Sequence, residues 1–146
     1  MNPRNVHIRR MLYRRDDNQT SRTEKNSVAT IREMTAEDFE RVIALMRRTP
    51  GVTVRDADSR GMVACYLNRN PGLSFVAEHG DELIGCVIAG HDGRRGYLQH
   101  LIVSPAYRNA GLATRLVNAA LDRLRAEGIF KSHIDVLATN EAAMAF

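Results

Sequence analysis

The sequence predicts an α/β fold, an α+β three-layer arrangement with a mixed, mostly antiparallel sheet flanked by helices. Three observations carry that prediction. A strand, a helix and a strand follow one another within residues 97–137, and such a βαβ unit makes its two strands parallel neighbours. Two apolar runs at 73–77 and 83–89 are joined by the short polar segment His79-Gly80-Asp81-Glu82, the mark of an antiparallel hairpin. Two amphipathic helices lie between the first strand and that hairpin. The element order is β-α-α-β-β-β-α-β-α, with no internal repeat.

Val28-Ala29-Thr30-Ile31-Arg32-Glu33-Met34 alternates and forms the first strand. Thr35 is an N-cap, and Asp38 three residues on gives a capping-box start. Phe39, Val42, Ile43 and Met46 follow at helical spacing until Thr49-Pro50-Gly51 stops them. Residues 56–59 cap a second helix carrying Met62, Val63, Tyr66 and Leu67. Residues 68–72 are rich in turn formers and make a loop. After the hairpin, a second turn at 91–96 leads to the strand Tyr97-Leu98-Gln99-His100-Leu101-Ile102-Val103, which Ser104-Pro105 ends. In that strand the period of two puts Gln99 on the face of Tyr97 and His100 on the other. Leu112, Leu116, Val117, Ala120, Leu121 and Leu124 form one helical stripe, with Gly128 at its C-terminal end. Residues 132–137 alternate as a strand with one buried face.

The chemistry concentrates at Arg108-Asn109-Ala110-Gly111-Leu112-Ala113, between a strand and a helix. This is the pattern Q/R-x-x-G-x-G/A. A turn of successive N–H groups running into a helix N-terminus favours an anion, because the first amides lack acceptors and the dipole is positive there. Gly111 lets a phosphate approach closely, Ala113 keeps the next contact small, and Thr114 offers a hydroxyl. Arg108 adds charge and a donor fork. The pattern is neither a P-loop, since no Gly-Lys-Ser/Thr is present, nor the three-glycine dinucleotide fingerprint. It reads either as a tight turn that opens a helix or as a pyrophosphate cradle, and as a cradle it points to a coenzyme rather than to a metal or a covalent nucleophile.

With Leu101-Ile102-Val103 ahead of that cradle, and Asn140-x-x-Ala143-x-x-Phe146 after the last strand, residues 28–146 resemble the GCN5-related N-acetyltransferase (GNAT) superfamily. The run His91-Asp92-Gly93-Arg94-Arg95-Gly96 resembles a group of small bacterial members. The resemblance implies a central parallel strand pair that splays apart. It implies acetyl-CoA as cosubstrate, no metal, and direct attack by a primary amine in a ternary complex. By motif, Leu101, Ile102 and Val103 offer backbone groups to the thioester arm, and residues 108–114 take the pyrophosphate. Asn140 bonds the pantetheine arm and Phe146 packs against it. Relatives place a glutamate base where this chain has Tyr97; the catalytic candidates are Tyr97, Gln99 and His100, with His100 either a proton acceptor or a hydrogen-bonded structural residue, and an ordered water near Tyr97 or Gln99 as another route to activation. Helices 1 and 2 line the acceptor side in relatives; Met46, Met62 and Tyr66 either do so here or belong to the core. The family's acid tyrosine would fall at position 147, and its last two strands are expected to be missing. An open sheet edge would then invite a homodimer. A non-catalytic CoA-binding or interaction module is the alternative reading.

A chain of 146 residues with 44% hydrophobic content is sized for one domain with one core. Residues 1–27 hold seven basic and three acidic side chains, which accounts for the whole net charge of +4. That segment reads as a disordered basic extension, and residues 28–146 as the N-acetyltransferase domain. The neutral body argues against a nucleic-acid partner. No apolar run reaches the ~20 residues that span a bilayer, and no signal-peptide core follows the N-terminal charges. Cys65 and Cys86 are not spaced for a metal and read as buried apolar thiols, which with the missing signal gives a cytoplasmic expectation.

Overall fold

A computed structural model describes residues 29–137 and, ahead of them, residues 6–11. The elements are β1 (Val6–Met11), β2 (Thr30–Glu33), α1 (Phe39–Arg48), α2 (Arg60–Arg69), β3 (Phe75–His79), β4 (Glu82–His91), β5 (Gly96–Val103), α3 (Leu112–Ala126) and β6 (Ser132–Leu137). One sheet runs in the order β1-β6-β5-β4-β3-β2. Every neighbouring pair is antiparallel except β5 with β6, which is parallel as the βαβ unit requires. The expected helix within 140–146 lies outside the described residues.

Apolar side chains alternate across the sheet and divide the core into two layers. Leu112, Leu116, Val117, Ala120 and Leu124 of α3 pack against Val87, Ala89, Leu98 and Val103. Val42, Ile43, Leu45 and Met46 of α1, with Val63 of α2, pack against Val76, Cys86, Ile88 and Ile102. These are the three layers that the sequence predicts.

The helix ends follow local chemistry. The Asp38 carboxylate accepts the Thr35 N–H at 2.8 Å, and a 3-10 turn, Ala36–Asp38, precedes α1. The Ser59 hydroxyl accepts the Met62 N–H at 3.4 Å and opens α2. At the far end of α3, Ile129 N–H reaches the Leu124 carbonyl at 2.9 Å and Gly128 N–H the Arg125 carbonyl at 2.9 Å. This is a Schellman closure, with Gly128 at φ +84°.

Two expectations need correction. Residues 6–11 fall inside the segment expected to be disordered, yet they form β1, paired with β6 from Val6↔Leu137 to Met11↔Ser132. This pairing occupies N–H and C=O groups on the outer side of β6, groups that on an open edge recruit a strand. The edge expected to invite a second copy is thus covered by the chain itself. Cys86 is buried as expected, but Cys65 is exposed, because it lies on the solvent side of α2.

Candidate active site

The strand pair at the centre of the sheet separates soon after it forms. The β5–β6 ladder consists of Gly96↔Ser132, Tyr97↔His133 and Leu98↔Ile134, while the strands continue to Val103 and Leu137. Beyond Leu98, β5 keeps β4 on one side only among the described residues. This is the expected splay, and Leu101, Ile102 and Val103 all lie past it. Leu101 and Val103 belong to the α3 side of the core and Ile102 to the other. It is therefore their backbone, not their side chains, that can meet an extended ligand.

A bulge sits at the same place. Cys86 pairs with Ile102 and Ile88 with Gln99, so His100 and Leu101 of β5 oppose Val87 alone. His100 takes φ +48°, the left-handed region that few non-glycine residues occupy. The bulge breaks the period of two and corrects the expected facing. Gln99 lies opposite Ile88, on the α1/α2 side. His100 reaches the same side, where its Nε2 lies 2.7 Å from Asp58 Oδ1.

The cradle follows from the end of β5. Pro105–Tyr107 make a 3-10 turn, Asn109 takes φ +63°, and Gly111 caps α3 at φ +76°. A side chain at Gly111 would be strained there, which is why the pattern needs glycine. The first helical bond of α3 is Arg115 N–H to the Gly111 carbonyl at 3.1 Å. The amides of Leu112, Ala113 and Thr114 precede it and have no intrahelical acceptor. Leu112 buries its side chain in the core and so pins the helix start. Asn109, Gly111 and Thr114 are exposed, and Ala110 and Ala113 half-buried. Arg108 Nε donates to the Val103 carbonyl at 3.3 Å, which holds the guanidinium beside the turn. No carboxylate occurs between Val103 and Arg115. The helix start thus joins amides outside the helical ladder to the guanidinium of Arg108, a local arrangement that favours an anion.

The three catalytic candidates share the α1/α2 side, but their chemistry differs. The Tyr97 hydroxyl donates to Asp92 Oδ2 at 3.0 Å, and its ring stacks on His133 at 5.9 Å. Asp92 is held below the usual carboxylate range by the N–H groups of Arg95 and Arg94. Its hydrogen bond in turn raises the Tyr97 hydroxyl, so that phenol is kept protonated. Gln99 has nothing to titrate. Sequence reasoning missed Asp58, which it read only as a helix cap. Asp58 is buried, and its second oxygen accepts the Arg55 N–H at 2.8 Å.

Of the acceptor-side candidates, Met46 is core and Met62 is exposed. Tyr66 is half-buried against β4, and burial raises its hydroxyl. Asn140 and Phe146 lie outside the described residues. Among the described residues no His, Cys, Asp and Glu cluster could hold a metal, and no helix is long and apolar enough to cross a membrane.

The Acetyltransferase (GNAT) family pattern matches residues 30–146. An acetyltransferase of Pectobacterium atrosepticum is 35% identical over 114 residues, 78% of this chain and 80% of that protein. The crystal structure of the PaiA N-acetyltransferase of Thermoplasma acidophilum, in complex with coenzyme A, has a TM-score of 0.70 at 20% identity. That match covers 81% of this chain and 85% of the other. The diaminobutyrate acetyltransferase of Paenibacillus lautus, in complex with L-2,4-diaminobutyric acid and coenzyme A, has a TM-score of 0.67 at 19% identity. It covers 80% of this chain and 70% of its own. With a splayed parallel pair and an amide cradle opening α3, the chain belongs to the GNAT family of acetyltransferases, enzymes whose acetyl donor is acetyl-CoA.

Proposed function

We propose that this chain transfers the acetyl group of acetyl-CoA to a primary amine, by direct attack in a ternary complex. The observation that carries the reading is the left-handed Gly111 cap of α3 next to the splay of β5 and β6. The cradle suits the pyrophosphate: residues 108–114 offer amides, the Thr114 hydroxyl and the charge of Arg108. An extended pantetheine arm leaving the cradle runs along Leu101, Ile102 and Val103, where β5 has backbone groups free of β6. The thioester then reaches the bulge, on the side lined by α1 and α2.

Such a site needs little covalent machinery. Two reactants held in line supply most of the rate, and N–H groups aimed at the carbonyl oxygen stabilise the developing charge. A structural neighbour that takes a diamino acid supports an amine as acceptor.

Isothermal titration of acetyl-CoA into the purified chain tests the cradle, with Gly111→Glu as the control. Saturable binding that Gly111→Glu abolishes, with its circular dichroism unchanged, supports the assignment. Equal binding by the variant removes the cradle from the reading. Thiol release is then followed across a panel of polyamines, amino acids and peptide N-termini. Binding without turnover on any of them favours a CoA-binding module instead.

A further inference from the structure

We propose that His100 accepts the proton of the attacking amine and that Asp58 fixes its tautomer. The proposal rests on the acetyl-transfer reading above, and it adds Asp58, which no sequence motif marks.

Four observations lead there. His100 lies on the bulge, two residues past the last pair of the β5–β6 ladder. Its left-handed backbone turns the ring to the α1/α2 side, where a regular strand would send it to the α3 side. A non-glycine residue held in that region costs energy, and such positions concentrate at functional sites. Nε2 stands 2.7 Å from Asp58 Oδ1. Finally, the two side chains differ in access: 25% exposed for His100 and 9% for Asp58. The carboxylate is sequestered and oriented by the Arg55 N–H, while the ring remains open to a reactant.

The hydrogen bond decides which nitrogen works. A carboxylate only accepts, so Nε2 carries the hydrogen and the Nδ1 lone pair is the basic site. Cys86 of β4 also meets His100, its thiol donating to the His100 carbonyl at 3.3 Å. Burial pushes that thiol up to about 12, so it stays neutral. On β5, Tyr97 is committed to Asp92.

The protons balance. An alkylammonium gives one proton to Nδ1 and becomes a neutral amine. Its lone pair attacks the thioester carbonyl carbon, the N–C bond forms, and the C–S bond breaks with its electrons leaving on sulfur. The nitrogen loses a second proton as the amide forms. One of the two protons ends on the sulfur as the CoA thiol, and the other passes to water as the imidazole returns to neutral.

The test uses the full chain, His100→Asn, which tolerates the left-handed backbone, and Asp58→Asn, which keeps the shape without the charge. Acetyl-CoA affinity should stay within about twofold in both, since neither residue touches the cradle. With an acceptor found in the amine panel, His100→Asn should lower kcat/KM by about 100-fold or more, the usual worth of a general base. The acidic limb of its pH profile should vanish. Asp58→Asn should lower kcat/KM by about 10-fold, because an amide both donates and accepts and no longer enforces one tautomer of the ring. Retention of a third or more of the activity by His100→Asn, with the limb intact, overturns the proposal. Long-range proton–nitrogen NMR gives a readout that needs no acceptor: the hydrogen on Nε2 supports the assignment, and a hydrogen on Nδ1 in the neutral ring overturns it. A wild-type chain that binds acetyl-CoA and acetylates nothing shows that acetyl transfer itself has failed, and the role of His100 falls with it. A wild-type chain that turns over while His100→Asn is unaffected leaves acetyl transfer standing and removes only His100.

Discussion

The Tyr66 hydroxyl occupies the space that a side chain on Gly90 would fill: a Cβ there would stand 2.4 Å from the hydroxyl oxygen and 2.6 Å from Asn70 Cγ. Gly90 lies in β4 opposite Tyr97, and Asn70 Oδ1 accepts the His91 N–H at 3.0 Å. One missing methyl group thus lets the C-terminal half of α2 sit directly on the sheet, beside the Tyr97 and Gln99 side of the site.

Gly90→Ala should therefore push α2 outward. Overpacking of this kind costs about 1–3 kcal/mol, measured as a lower urea midpoint at unchanged m-value. On the proposed reading, which puts the amine on the α1/α2 side, the KM for the amine should rise more than the affinity for acetyl-CoA falls. An unchanged midpoint would mean that α2 does not depend on this contact.

Gly96→Ala should be at least as costly. A Cβ there would stand 2.4 Å from Ser132 Oγ and 2.9 Å from Leu124 Cδ1. Gly96 opens the short parallel ladder, so the clash acts on the pair of strands that defines the splay. Thermal unfolding checks it: a drop of several degrees is expected from about 1–3 kcal/mol. A melting temperature equal to that of the wild type would show that β6 can shift freely.

Acid should loosen the β2–α1–β3 corner. Arg32 pairs with Asp38 at 2.7 Å and also with Glu78, which Arg41 holds at 3.0 Å. Burial works against the Asp38 charge, but the bonds from Arg32 and Thr35 outweigh it and hold its carboxyl below the usual range. Glu78 is held below its range chiefly by Arg32. A carboxylate depressed in the folded state contributes stability above its unfolded value, and loses it as pH falls through the folded value. Stability should thus decline from about pH 4 downward, where free carboxylates begin to protonate. Asp38→Asn should remove part of that acid dependence and cost about 1–2 kcal/mol at neutral pH. A variant whose acid-unfolding curve overlays the wild type would refute this account of the corner.

The two cysteines should react very differently. Cys65 is exposed, while Cys86 is buried and its thiol is kept protonated. The thiolate is the reactive form. Ellman's reagent should label one thiol per folded chain promptly and the second only after denaturation. Rapid labelling of both would mean that the sheet opens under native conditions.

Much of the fold was legible because it rests on local signals. Ser104-Pro105 ends β5, the Leu112–Leu124 stripe and Gly128 bound α3, and Thr35 with Asp38 starts the α1 region. The left-handed turn that opens α3 was legible for the same reason, since Gly111 and its neighbours are contiguous. The extra residue at His100 and Leu101 was not legible. A bulge is set by how two strands register, and neither strand alone records it. Asp58 was hidden as well. An aspartate just before a helix reads as a cap, and only the packing of that turn against β5 brings it to a histidine 42 residues away.

By itself the sequence determined the order of the elements from β2 to β6, the parallel pair, the glycine-capped turn that opens α3 and, through contiguous motifs, the family. Each depends on spacing along the chain or on the backbone demands of one residue. The tertiary structure alone decided where β5 and β6 part, that Val6–Met11 covers the edge of β6, and which side of the sheet carries His100. Those features depend on contacts between segments distant in sequence, whose geometry is fixed only when the whole sheet and its two helical layers pack together.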